Sequence, residues 1–142
     1  MRIMGLDVGE KRIGIAISDP MGWTAQGHSV LQRSRLDDDI KEIGRLCQEY
    51  EVDKIVVGLP LNMDGSIGPK AREVQEFAQL LEKDLSINIV YWDERLTTKS
   101  AERVLLEADL SRRRRKQVID KMAAVHILQG YLDYQDSISK QV

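Results

Sequence analysis

Apolar and polar positions along the chain follow two periods. Residues 3–8, Ile3-Met4-Gly5-Leu6-Asp7-Val8, form a short apolar run with an acid near its end. Gly9-Glu10-Lys11 reads as a turn. In residues 12–18, Ile13, Ile15 and Ile17 alternate with Gly14, Ala16 and Ser18, the period of two that marks a strand. Pro20-Met21-Gly22 breaks the chain, and a third strand is predicted over residues 23–32. Short turns between these strands imply an antiparallel meander.

The period then lengthens. Leu36, Ile40, Ile43, Leu46, Cys47 and Tyr50 recur at helical spacing. Lys54-Ile55-Val56-Val57 is a short buried strand closed by Gly58-Leu59-Pro60. A loop carrying Asn62, Asp64, Gly65, Ser66 and Gly68 follows, and Pro69 suits the first turn of a helix whose apolar stripe is Val74, Phe77, Ala78, Leu81 and Leu85. Ile87 to Trp92 is a further strand. Thr97 or Thr98 caps a predicted helix to about Leu110, and a last helix is predicted from about Arg114 to Tyr134, with Val118, Met122, Val125 and Leu128 apolar. The order β-β-β-α-β-α-β-α-α predicts an α/β fold: one five-stranded mixed sheet, three strands antiparallel and then parallel ones, flanked by helices. Such an open sheet places its site at the carboxyl ends of strands, near a switch in strand order.

The length, 142 residues, suits a single domain over 1–142, and the charged fraction, 31%, is ordinary for a globular chain. No apolar run is long enough to span a membrane, and the N-terminal apolar run meets a charge at Asp7 too early for a signal-peptide h-region, so the expected location is cytoplasmic. The one cysteine, Cys47, lies in an apolar helical stripe and reads as a core thiol. Net charge is −2, which disfavours nucleic-acid binding driven by overall charge. The distribution points the other way: Arg112, Arg113, Arg114, Arg115 and Lys116 form a cationic block, and Lys11 and Arg12 sit in the first turn. The alternative for the block is a solvated helix face.

Three acids stand at suggestive positions. Asp7 is near the end of the first strand, Asp93 and Glu94 follow the fifth, and Asp120 shares a helix face with Ala123, Ala124 and Ile127. An acid on an inward face is costly unless something pairs it, and a hard divalent cation takes carboxylate oxygens. Each acid alone has a plain reading: a turn acid before Gly9, charges that favour a helix N-terminus, or a partner for Lys116 one turn away. His28 and His126 have no partner at metal-ligand spacing, and His126 reads as a packing residue. The Asp-x-Gly turn at Asp7 also occurs in actin-like and sugar-kinase ATPases, but those need two such lobes and this chain builds one.

Four ordered motifs carry a more specific signal: Gly5-Leu6-Asp7-Val8-Gly9-x-Lys11-Arg12-Ile13-Gly14, Val57-Gly58-Leu59-Pro60-Leu61-Asn62-x-Asp64-Gly65-Ser66, Asp93-Glu94-Arg95-Leu96-Thr97-Thr98 and Asp120-x-x-Ala123-Ala124-x-x-Ile127-Leu128-Gln129. Together they closely resemble the bacterial YqgF family, also called RuvX, over nearly the whole chain. The resemblance implies a ribonuclease H-like fold related to the RuvC Holliday junction resolvases. It implies a metal-dependent nuclease, first proposed to resolve four-way DNA junctions and now described as processing the 5′ end of pre-16S ribosomal RNA. It implies Asp7, Glu94 and Asp120 as the acidic site holding Mg²⁺ or Mn²⁺. RuvC-type enzymes carry a glutamate at the end of the fourth strand, where this chain has Gly58-Leu59-Pro60; Glu94, after the fifth, takes its place. The last helix also offers one acid where resolvases offer two.

The expected activity is hydrolysis of phosphodiesters in structured or precursor RNA. The alternatives are cleavage of branched DNA and a non-catalytic nucleic-acid-binding or ribosome-associated module. Lys11, Arg12 and the Arg112–Lys116 block are expected to grip phosphates, with the backbone of Gly65-Ser66, before the helix at Pro69, as a further anion site. The expected state is a monomer or weak homodimer.

Overall fold

The structure, a computed structural model, describes the backbone of residues 1–96 and 112–141, and the side chains of 1–96 and 121–136. Strands β1 (Arg2–Val8), β2 (Arg12–Ser18) and β3 (Ala25–Gln32) are followed by helix α1 (Leu36–Glu49), β4 (Val52–Leu59), α2 (Pro69–Leu85) and β5 (Asn88–Asp93). A 3₁₀ turn at Glu94–Leu96 and a long helix α3 (Arg112–Gln141) complete the described elements. The helix expected between Thr97 and Leu110 lies outside the described residues.

The five strands form one sheet in the order β3-β2-β1-β4-β5. β1 pairs antiparallel with β2, β2 antiparallel with β3 and β4 parallel with β5, as the alternation and connections predict; the parallel pairing of β1 with β4 is set by the folded sheet. Element ends differ from the sequence reading. β3 starts at Ala25 rather than residue 23, because the Asp19 carboxylate accepts the backbone N–H groups of Trp23 and Thr24 and folds them into the turn. β4 extends from Val52 to Leu59, and α3 runs beyond both predicted ends.

The pleat divides the core. Met4, Leu6, Ile13, Ile15, Ile55 and Val57 point to the face covered by α1 and α2, where Ile40, Ile43, Phe77 and Leu81 meet them. Cys47 belongs to this layer, and burial pushes its thiol up to about 11, which suits an inert core sulfur. Ala16 and Val56 point to the opposite face. There α3 buries Ala124, Ile127, Leu128, Tyr131 and Leu132, a stripe at helical spacing. α3 lies close because β1 is bare beneath it: a Cβ on Gly5 would stand 2.7 Å from the Cβ of Leu128 and 3.1 Å from the Ala124 carbonyl oxygen. No helix among the described residues is long and apolar enough to cross a membrane.

Candidate active site

Strand parity determines which acids can meet. On β1, Ile3, Gly5 and Asp7 share the α3 face. On β4 that face holds Val56 and Gly58, and on β5 it holds Val90 and Trp92, with Glu94 next in the same series. β1 and β4 are parallel neighbours at the centre of the sheet, and the chain leaves them toward opposite edges. The crevice outside their carboxyl ends is thus the topological switch point.

Glu94 reaches into this crevice across Gly58. A Cβ on Gly58 would meet the Ile127 side chain, and would lie 2.7 Å from Glu94 Oε1 and 3.0 Å from its Cγ. The absence of an acid at the end of β4 therefore has a structural counterpart: a bare backbone over which the β5 glutamate folds. Its carboxyl is hydrogen-bonded to Asp7. Burial, the Asp7 charge and this hydrogen bond push the Glu94 carboxyl up to about 8, with Asp93 adding to the rise and Lys70 opposing it.

Asp93 takes a different part. Its carboxylate faces Arg95, with Oδ2 2.7 Å from Nη2, and accepts the Arg95 backbone N–H at 2.9 Å. Arg95 in turn donates to the Met63 carbonyl at 3.2 Å. The Arg95 guanidinium holds the Asp93 carboxyl below the usual carboxylate range. Asp93 thus ties the end of β5 to the loop after β4.

The two acids open onto a cleft of about 240 Å³, also lined by Glu10, Arg33, Pro60, Lys70 and Glu73. A contiguous hollow of about 290 Å³ adds Lys11 and Arg12 to Asp7 and Lys70, so the expected turn cations lie beside the acids. Asp120 falls in α3 one turn before Ala124, and the side chains of Asp120 and of Arg112–Lys116 lie outside the described set.

Ser66 behaves differently from the expected anion site. Its backbone N–H donates to Asp64 Oδ1 at 2.9 Å and its hydroxyl to the same atom at 2.6 Å, while the Gly65 N–H donates to the Asn62 carbonyl. Both amides are consumed within the loop, beside an acid, and neither is offered to an anion. Lys70 and Arg33 also line the cleft, though neither is among the residues expected from the sequence. Lys70 had a signal: a cation just after a helix-starting Pro69 opposes the helix dipole and calls for a nearby negative charge. Arg33, between a strand and a helix, had none.

Two carboxyls sharing one proton in a crevice are what a hard cation would displace the proton from, and an all-oxygen donor set suits Mg²⁺ or Mn²⁺. Among the described residues no group of three acidic, His or Cys side chains is gathered, so Asp7 and Glu94 are a partial ligand set.

The family model for RuvX, described as a Holliday junction resolvase, matches residues 1–134. The chain belongs to the RuvX family. RuvX relatives include proteins called "Putative pre-16S rRNA nuclease" from Syntrophomonas wolfei, 71% identical over 94% of both chains, and from Clostridium tetani, 59% identical over 94% of this chain and 96% of that one. A Clostridium botulinum protein of the same description is 56% identical over 99% of this chain and all of its own. Among solved structures, Thermus thermophilus RuvC in complex with a Holliday junction superposes with a TM-score of 0.61 at 11% identity, covering 96% of each chain. The fowlpox virus Holliday junction resolvase superposes with a TM-score of 0.55 at 12% identity, covering 94% of this chain and 99% of its own. The RuvX fold is thus ribonuclease H-like.

Proposed function

We propose that this chain is a divalent-metal-dependent endonuclease that hydrolyses phosphodiesters of precursor ribosomal RNA, at the 5′ end of pre-16S RNA. The observation that carries this reading is the Asp7–Glu94 pair, hydrogen-bonded across bare Gly58 at the carboxyl ends of β1 and β4. The naming of the RuvX relatives as pre-16S rRNA nucleases supports the substrate.

In this reading Asp7 and Glu94 hold Mg²⁺ or Mn²⁺, with Asp120 as third ligand from α3. When bound, such an ion acidifies a water and offsets the charge that develops on the phosphate. The protein's own part is positional. The ends of β1 and β5 bring the two carboxylates together over Gly58 of β4, and the turn at Lys11 and Arg12 lines a hollow with Asp7, where it takes the phosphates of the substrate. Lys70 stands close enough to Glu94 to pull its carboxyl toward the charged form, and so favours the state that accepts a cation. α3 packs Ile127 against Gly58 beside Glu94.

The RuvC fold match and the description of the family model favour a second substrate, four-way DNA junctions. The test is cleavage by the pure protein, with Mn²⁺ and with EDTA, on a pre-16S RNA fragment and a four-way junction side by side. Mn²⁺-dependent cleavage of the RNA near its 5′ end is the expected result. Junction cleavage alone transfers the reading to DNA, and no cleavage of either substrate overturns it.

A further inference from the structure

Arg33 enters the cleft from the end of β3, and everything around it holds it still. Its Nη1 donates to the Gly9 carbonyl at 2.8 Å, and its own backbone N–H donates to the Lys11 carbonyl at 2.9 Å. Its Nε stands 3.6 Å from Oδ2 of Asp39, a carboxylate only 2% exposed. The guanidinium carbon lies 5.1 Å from the centre of the Phe77 ring, itself buried. Three elements thus grip one side chain: the β1–β2 turn, α1 and α2.

Asp39 is equally committed. Its Oδ1 accepts the Ser34 backbone N–H at 3.1 Å. Its Oδ2 has no hydrogen-bond donor among the described residues and faces Arg33 alone. The pair is not a sealed ion pair, because the Arg33 side chain is 25% exposed and lines the cleft with Asp7 and Glu94. Among the described residues its Nη2 donates to no acceptor.

The cleft is otherwise acidic, with Asp7, Glu10, Glu73 and Glu94 on its walls, and Arg33 and Lys70 are the cations that line it. A polyanion can enter such a cleft only where cations meet its phosphates. Lys70 is an exposed side chain on a flexible stem, whereas Arg33 is a planar fork already fixed in place, so little rotamer freedom is lost when it binds.

We propose that Arg33 is a substrate-binding residue of this site, whose Nη2 edge takes a nucleic-acid phosphate next to the one being cleaved. Buried Asp39 and the Phe77 ring act as its positioning residues. This rests on the nuclease reading above.

The test measures binding of a fluorescent RNA hairpin with a 5′ single-stranded extension, in Ca²⁺ to prevent cleavage, across a series of KCl concentrations. Arg33→Gln should weaken binding about tenfold at moderate salt and flatten the log Kd against log [salt] slope by about one unit. Arg33→Lys should keep the wild-type slope, because it keeps the charge. If Arg33→Gln leaves Asp39 unpaired and the protein unstable, the double variant Arg33→Gln/Asp39→Asn removes the stranded carboxylate and the slope is read there. A wild-type slope in the glutamine variant, or in the double variant, makes Arg33 a structural latch and overturns the proposal while leaving the nuclease reading standing. Wild-type protein that does not bind the RNA at all overturns both.

Discussion

At the scale of single residues the site is an argument between two carboxyls. Burial, together with the Asp7 charge and hydrogen bond beside it, pushes the Glu94 carboxyl up to about 8. A proton bound more tightly in the folded than in the unfolded chain stabilises the fold below the ordinary value of 4.5. That contribution is lost as pH rises through about 8. Metal-free Glu94→Gln should therefore melt increasingly above wild type as pH rises from 5 to 9 in EDTA. A melting difference that does not change with pH removes the shared proton. Asp7→Asn relieves the same repulsion and removes a ligand charge. Cleavage in Mn²⁺ should fall to background, while the melting temperature in EDTA stays level or rises. A clear drop in that metal-free melting temperature would mark Asp7 as a structural partner instead.

At the scale of elements, the site depends on how near α3 comes to the sheet. Gly5 and Gly58 supply that nearness on adjacent strands, one beneath Leu128 and the other beneath Ile127 and Glu94. Gly5→Ala places a methyl against a helix backbone and a Cβ, neither of which can rotate away. It should cost about 1–3 kcal/mol by urea unfolding and lower cleavage as well, because α3 is pushed off the crevice. Gly27→Ala is the control. Its added carbon would stand 3.5 Å from the Lys121 Cβ and 3.6 Å from Val125 Cγ2, ordinary contact, so stability and activity should stay near wild type. Equal losses in the two variants would show that strand propensity, not helix approach, sets the cost. The Asp93–Arg95 clamp works on the same scale, because it holds the loop after β4 against the end of β5 beside the cleft.

At the scale of the whole molecule, a net charge of −2 means that a polyanion cannot be drawn in by overall attraction. Affinity must come from local cations. Lys11, Arg12, Arg33 and Lys70 surround the acids, and the Arg112–Lys116 block opens the helix that carries Asp120. Cations at a helix N-terminus oppose its dipole by about 0.3–1 kcal/mol each when exposed, a placement that bound phosphate would relieve. Replacing Arg113 and Arg114 with Ala should weaken RNA binding and flatten its salt slope by up to about one unit per lost phosphate contact. The melting temperature should hardly move. Unchanged affinity and slope would make the block a solvated face and confine the phosphate track to the cleft.

The sequence by itself determined the elements and their sidedness. Alternation along Ile13, Ile15 and Ile17, and the helical stripes through Ile43 and Ala78, dictate which face each element buries, because only one register hides the apolar set. The sequence also put Asp7, Asp93 and Glu94 at strand ends but left open whether Asp93 joins the site; its ion pair with Arg95 belongs to the folded structure. Long-range contacts were beyond its reach. Nothing local to Gly58 says that a glutamate from the next strand will lie over it. Nothing near Arg33 says that it will be locked between Gly9, Asp39 and Phe77. Periodicity is a property of neighbours along the chain, whereas these contacts join residues that only the closed sheet brings within reach. The proton shared by Asp7 and Glu94, and the fixed cation beside it, were therefore decided by the tertiary structure alone.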